Sequence, residues 1–481
     1  MPLNTLIAES ADLDHPLCVD LDGTLVKSDT LLDSFCQLLR RNPLAAWRAP
    51  LWLAKGRAHL KIEVNRRAPL DATRLPYNTS LLTYLETQRN EGRPIYLTTG
   101  AEGQIAERVA AHLGLFHGVL ASDGVTNLTH SRKLDSLKAR FGKFDYVGNS
   151  RADLPLLSNA REAMVANPTL GLRLALRLQR IPIARTFTDQ RPTAKTLFKA
   201  IRIHQWAKNV LLLAPLALSH KLAPAPIGKV IAAFFCFSFL ASATYLVNDL
   251  LDIESDRLHP SKRSRPFAAG DLSVSTGIGL ALVLALASAA LLPLFPAAFS
   301  AWLGVYAVTT LGYSFFLKRV AVVDVLVLSG LYTVRLLAGG AATTTWISQW
   351  LAGFSTFLFL SLAMVKRFSE LETLRERGAT EMPGRGYRVA DLEQIRSFGT
   401  ASAYAAIVVF MLYIGRSDGM ELYHHAMRLW LIVPLLIFWL NRVWLLASRG
   451  EMHDDPVVFA MRDPVSLTVG AAVAAIAFSA A

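Results

Sequence analysis

The chain has 481 residues, 52% of them apolar and 18% charged, with a formal net charge of +13 and a mean hydropathy of +0.34. Soluble proteins average about 25% charged residues, so this composition leans toward a membrane protein and excludes disorder, collagen and disulfide scaffolds. Cys18, Cys36 and Cys236 form no CxxC pair and no metal-ligand spacing, which fits a reducing compartment or plain burial.

Residues 1–16 carry Glu9, Asp12 and Asp14 and lack an apolar run, so no cleavable signal peptide is expected. From there to about Thr196 the pattern is that of a soluble α/β domain. Short apolar runs at 17–21, 94–98 and 144–147 read as buried parallel strands between charged helical stretches. The expected division is an α/β domain over 1–185, a linker over 186–200 and a membrane domain over 201–481.

In the second part, charge-free stretches cover 230–248, 272–317, 336–365, 397–415 and 464–481. A membrane helix needs roughly 20 such residues, and 272–317 is long enough for two, broken at Pro293 and Pro296. Shorter or interrupted stretches near 209–219, 320–341 and 429–441 bring the expectation to about nine spans. With the N-terminus inside, the inner loops hold most of the Lys and Arg, from Arg257 to Arg462. The outer loops hold only Lys221, Lys229, Arg416 and Arg428. This asymmetry puts the α/β domain on the cytoplasmic side of the cell inner membrane. The positive charge therefore calls for no nucleic acid.

In the α/β part, Asp20-Leu21-Asp22-Gly23-Thr24-Leu25 follows the first expected strand. Two carboxylates at i and i+2 past a strand end can face one ligand, and Gly23 allows a sharp turn. One aspartate can attack phosphorus while the other handles the leaving-group proton; a capped strand-to-loop turn is the plain competing reading. In the membrane part, Asn248-Asp249-Leu250-Leu251-Asp252-Ile253-Glu254-Ser255-Asp256 closes the second span. On one helix Asp249, Asp252 and Asp256 would lie within about 60° of arc, and Asn248 widens this to about 100°. Three such carboxylates repel unless cations bridge them, and Mg²⁺ carrying a diphosphate is a natural bridge. A basic loop follows at once: His259-Pro260-Ser261-Lys262-Arg263-Ser264-Arg265-Pro266. Part of its charge answers to loop asymmetry; its nearness to the acidic face argues for a phosphate-rich ligand.

The hexapeptide at 20–25 resembles the haloacid dehalogenase (HAD) superfamily of phosphatases. The resemblance implies a Rossmann-like domain with a helical cap over about 28–90, and Asp20 and Asp22 as catalytic and metal-binding acids. It also implies Thr99 and Lys133 as phosphate-binding residues, Lys138 being a rival, and a magnesium motif at 148–153 that contains Asn149 and Asp153. The family usually has an acid where Asn149 stands; an amide can ligate Mg²⁺ but brings no charge. A degenerate domain kept for structure, regulation or partner binding is the alternative.

NDxxDxxxD followed by HPxKRxRP resembles the UbiA superfamily of intramembrane prenyltransferases over about 195–481, which implies an all-α bundle of nine transmembrane helices. Within it the pattern is similar to decaprenyl-phosphate phosphoribosyltransferases. Supporting pieces are Arg202-x-x-Gln205-Trp206-x-Lys208-Asn209, Tyr313-Ser314-x-x-Leu317-Lys318, Asp324 with Arg335, and Lys366-Arg367-x-x-Glu370-Leu371. Aromatic prenyltransferases usually carry a second DxxxD; here Leu328 stands four residues after Asp324, so that motif is halved.

The resemblance implies Mg²⁺-dependent transfer of 5-phosphoribose from phosphoribosyl diphosphate to a polyprenyl phosphate, in a cell-wall type of biosynthesis. Asp249, Asp252 and Asp256, helped by Asn248, would hold the metal. Lys208, Lys262, Arg265, Tyr313, Lys318, Arg335 and Lys366 would bind substrate, and Asp324 would orient a neighbouring group. Arg263 and Arg367 are expected to be ordinary loop charges, and 450–462, with Asp454 and Asp455, a solvated loop, a loop near the site being the alternative. An aromatic prenyltransferase and a transporter are the competing readings.

Overall fold

The computed structural model describes residues 15–122, 131–189, 193–219, 223–259, 261–382, 384–415, 423, 425–452 and 455–480. Most of 1–16, with Pro260, Asp454, Lys221 and Arg416, lies outside the described residues. The chain forms two compact units: Met1–Ile201 with Leu246–Gly279, and Arg202–Tyr245 with Leu280–Ala481.

The first unit is built on a six-stranded sheet: β1 (Leu17–Val19), β2 (Ile95–Glu102), β3 (Gly118–Ser122), β4 (Asp145–Gly148), β5 (Ala163–Ala166) and β6 (Arg185–Phe187). The strand order is β3-β2-β1-β4-β5-β6, and every pairing is parallel. Leu17, Val19, Ile95, Leu97 and Val147 are fully buried, as expected of central parallel strands covered on both faces. In such a sheet the strand order reverses beside β1, and the crevice beyond the carboxyl ends of β1 and β4 is where ligands bind.

Helices Thr30–Arg41 and Arg57–Arg67 form a separate lobe around Leu38, Trp52 and Val64. Helix Thr79–Asn90 instead packs Leu81 and Leu85 into the sheet core. The expected linker over 186–200 is corrected: β6 pairs with β5 and buries Phe187, and Ala194–Ala200 is a capped helix. The three-residue edge strand is too short, and too charged at Arg185, to carry a hydrophobic pattern.

Among the described residues, six helices are long and apolar enough to cross a membrane: Pro224–Leu251, Val274–Leu294, Val323–Thr343, Gln349–Glu376, Val389–Ile414 and Ala426–Ser448. Helix Ala297–Phe315 and the 17-residue Pro464–Ala480 fall on two further expected spans. The stretch 209–219 is short and irregular, a 3-10 run Ile203–Leu213 followed by a five-residue helix. The charge-free stretch 336–365 straddles two helices. It ends one at Thr344, in left-handed backbone, and starts the next after the Ser348 cap. Buried Asp324 and Arg335 lie inside Val323–Thr343, so counting uncharged residues misplaces that span.

Candidate active sites

The first site lies at the carboxyl ends of β1, β2 and β4. The Asp20 backbone N–H donates to Val147 O at 3.0 Å, which fixes the first aspartate at the end of β1. Gly23 has φ +72°, and a Cβ there would come within 2.0 Å of Asn149 Nδ2, so only glycine lets the turn close against the amide. Lys133 Nζ donates to Asp20 Oδ1 at 2.8 Å and to Tyr146 Oη at 2.7 Å. Tyr146 Oη in turn donates to Asp153 Oδ1 at 2.9 Å. Asp153 Oδ2 accepts from the backbone N–H groups of Asn149 and Ser150 at 3.1 and 3.0 Å. Asp22 Oδ1 accepts from Thr30 N at 2.8 Å, and Thr99 Oγ1 from Ala101 N at 2.9 Å.

Asp20, Asp22, Thr99, Lys133, Asn149 and Asp153 therefore all line one cavity of about 850 Å³. Lys138 is outside it, bonded to Asn159 at the surface. Burial raises both carboxyls of the aspartate pair, and Asp22 further: the Lys133 ammonium opposes the rise at Asp20, whereas Asp29 adds to it at Asp22. One acid that ionises readily beside one that keeps its proton is a division suited to nucleophile and general acid.

The second constellation is the acidic helix end. Helix Pro224–Leu251 stops one residue before Asp252, which opens the short helix Ile253–Leu258. The expected single face is thereby divided. Arg265 Nη1 reaches Asp249 Oδ1 at 3.1 Å and Asp256 Oδ2 at 2.7 Å, while Asp252 pairs with Arg40 at 3.3 Å. Burial raises the Asp256 carboxyl; Arg265 opposes this, and Asp249 and Asp252 add to it. Among the described residues no cluster of three or more His, Cys, Asp or Glu is arranged to hold a metal ion. The donor chemistry still suits one: an all-oxygen set of aspartates and Asn248, of which one pair already holds a cationic group in common. Lys262 and Arg263 are exposed on the following turn.

In the second unit, Lys208 Nζ and Lys366 Nζ both donate to Asp455 Oδ2 at 2.9 Å. Asp455 is thus corrected from a solvated loop acid to the anchor of two lysines. Burial would raise its carboxyl, but the two ammoniums outweigh burial and hold it well below the usual range. Only the Asp-Pro start of its short helix hinted at this in sequence.

Arg367 is corrected too, being fully buried rather than a loop charge. Its Nε donates to Asp324 Oδ2 at 2.6 Å, and Arg385 Nη1 donates to the same oxygen at 3.0 Å. Tyr387 Oη donates to Asp324 Oδ1 at 2.5 Å. Tyr313 Oη accepts from Arg385 at 3.1 Å. Arg335 bonds to Asn209 at 2.9 Å, Leu331 O at 2.6 Å and Tyr306 at 3.2 Å, so it is an internal brace rather than a grip held open for phosphate. Lys318 is half-buried in the turn after helix Ala297–Phe315. Sequence reasoning missed Asp455, Arg385 and Tyr387.

A helical unit with this many apolar spans, and with charged clusters among its helices, defines a multi-pass membrane protein. The profile of the UbiA prenyltransferase family matches residues 210–462, and the chain belongs to that family of transferases. It is 36% identical over 478 residues to the uncharacterized protein y4nM of Sinorhizobium fredii, spanning 98% of this chain and 92% of that one. It is 34% identical over 291 residues to a decaprenyl-phosphate phosphoribosyltransferase of Mycobacterium tuberculosis, spanning 57% of this chain and 93% of the relative. A solved UbiA homolog from Archaeoglobus fulgidus bound to GPP and Mg²⁺ aligns with a TM-score of 0.46 at 16% identity. That alignment spans 59% of this chain and 99% of the homolog.

Proposed function

We propose that the protein transfers 5-phosphoribose from phosphoribosyl diphosphate to a polyprenyl phosphate, and that its α/β unit, a HAD-type phosphatase, then removes the 5-phosphate. The observation that carries the first step is Asp324. It is locked by Arg367, Arg385 and Tyr387 and has Leu328 where a second acid would stand. This arrangement disfavours a second metal and diphosphate clamp of the aromatic-transferase kind. The similarity to a decaprenyl-phosphate phosphoribosyltransferase supports the same choice.

In the transfer, an anionic oxygen of the lipid phosphate attacks ribose C1. The bond from C1 to the diphosphate oxygen breaks, and diphosphate departs with the electron pair. The acceptor is already ionised, so no strong base is needed. Asp249, Asp252 and Asp256, with Asn248, would hold Mg²⁺, which when bound neutralises charge on the leaving diphosphate. Lys208 and Lys366, pre-oriented by Asp455, would grip phosphate oxygens; Lys262, Arg265 and Lys318 are further cations for substrate phosphate.

In the second step Asp20 attacks phosphorus, the bond from phosphorus to ribose O5 breaks, and Asp22 gives its proton to O5. Water then attacks the aspartyl phosphate and passes a proton to Asp22, which releases inorganic phosphate and restores Asp20. Lys133 and Thr99 hold the phosphate oxygens. Asp20, Asp22, Asn149 and Asp153 would be the oxygen donors for Mg²⁺ there, and Lys133 would balance their charge. The Lys and Arg asymmetry supports a cytoplasmic face of the inner membrane for this unit.

The test uses the full chain in detergent with Mg²⁺, radiolabelled phosphoribosyl diphosphate and polyprenyl phosphate. Label passes into the organic phase and is lost in Asp249→Ala. Reaction of polyprenyl diphosphate with an aromatic acid instead would overturn the reading.

A further inference from the structure

The cavity that holds Asp20 and Lys133 is closed in part by residues from far along the chain: Asp271, Leu272, Ser273, Ser275 and Thr276. These belong to the same compact unit as the sheet. They are also the approach to, and the first turn of, the membrane-length helix Val274–Leu294. Where that helix crosses a bilayer, its opening turn, and with it one wall of the cavity, stands at the end of the span.

The wall is fixed firmly. Gly270, at φ +73°, packs so closely that a Cβ would lie 2.8 Å from Lys27 Cβ. Asp271 N and Leu272 N both donate to Pro266 O, at 2.9 and 3.2 Å. Phe267 is buried, and Gly277 and Leu250 stand against its ring and one another: a Cβ on Gly277 would meet both at 3.0 Å or less. Leu250 adjoins Asp249, so the wall and the acidic helix end are parts of one packed block. That block is tied to the lobe beside the cavity by Arg257, whose Nη2 reaches Asp33 Oδ2 at 2.7 Å, and by Arg40, which reaches Ser255 Oγ at 2.6 Å. The hydroxyl residues Ser273, Ser275 and Thr276 are exposed, and Ser273 Oγ caps the helix by accepting from Thr276 N at 3.1 Å.

We propose that 271–276 is the specificity wall of the phosphatase cavity, and that it selects a phosphate monoester carried on a membrane-anchored molecule over a soluble phosphate. This rests on the phosphatase reading above. The wall supplies hydroxyl donors toward the anionic part of the ligand, and the apolar span that continues from it leads the anchor into lipid.

The experiment uses the full chain in nanodiscs with two probes, p-nitrophenyl phosphate and the lipid-linked phosphoribose accumulated by an Asp20→Asn variant. The wild type favours the lipid substrate. Ser275→Trp, and separately Ser273→Ala with Thr276→Ala, lower the ratio of kcat/KM for lipid over small substrate by about tenfold. Equal losses on both probes, or no change in the ratio, would overturn the proposal while the phosphatase reading stands. If the wild type hydrolyses neither probe, the phosphatase reading itself falls. Thermal unfolding of the variants, expected within a few degrees of wild type, separates a selective effect from misfolding.

Discussion

At Asn149 the site departs from a full set of acids, and the departure is local. Its amide rests against Gly23, and a carboxylate of the same shape fits that place. Asn149→Asp adds a charge to a group that already holds Asp20, Asp22 and Asp153, so Mg²⁺ affinity should rise with ligand charge. Phosphatase turnover at low Mg²⁺ is expected to increase by about tenfold, measured as phosphate release against Mg²⁺ concentration. Gly23→Ala has the opposite outcome: it strains a positive φ and meets the Asn149 amide, so phosphatase activity is lost. At Asp455 the account predicts that Asp455→Ala leaves two lysines facing each other. Asp455 and Lys208 are largely buried, and the partial exposure of Lys366 tempers the cost to about 1–3 kcal/mol, seen as a lower midpoint of thermal unfolding, and transfer activity falls with it. Asp455 was hard to read from sequence because its partners lie 247 and 89 positions away, and nothing in a short acidic loop signals that they converge on it.

Among elements, helix Val323–Thr343 departs from the rule of uncharged spans by burying Asp324 and Arg335. Asp324 is buried there with Arg367 from Gln349–Glu376, so two spans are held by an ion pair that neither would carry alone. Removal of Arg367 leaves buried Asp324 with Arg385 and Tyr387 as its remaining partners, so the cost falls toward the lower end of about 3–5 kcal/mol. Arg367→Gln should therefore lower folded yield sharply, and the double variant with Asp324→Asn should recover part of it. A double-mutant cycle on thermal unfolding in detergent measures the coupling; additive effects would contradict it. The charge-free stretch 336–365 crossed a turn because the charges that bound it, Arg335 and Lys366, both lie inside helices. The sheet was legible where short buried apolar runs mark β1, β2 and β4. β3, β5 and β6 are short, alanine-rich or edge-placed, and have little pattern to read. The break at Asp252 was also hidden, since the i to i+4 hydrogen bond from Asp256 N to Asp252 O persists across it and the spacing alone suggests one continuous face.

For the whole molecule, the relation to y4nM spans 98% of the chain, sheet unit included, whereas the relation to the phosphoribosyltransferase of Mycobacterium tuberculosis spans 57% of it. If the chain carries both proposed activities, their joining would raise the effective concentration of the first product at the second site, to around millimolar for short connections. The packed block that carries both the acidic helix end and the cavity wall gives that joining a physical basis. The direct measurement is a double label. Phosphoribosyl diphosphate carrying ¹⁴C in the ribose and ³²P at the 5-phosphate is incubated with polyprenyl phosphate, Mg²⁺ and the full chain. Wild type delivers ¹⁴C without ³²P to the organic phase, and Asp20→Asn delivers both. Equal retention of ³²P in wild type and Asp20→Asn, or no ¹⁴C in the organic phase at all, would contradict the account.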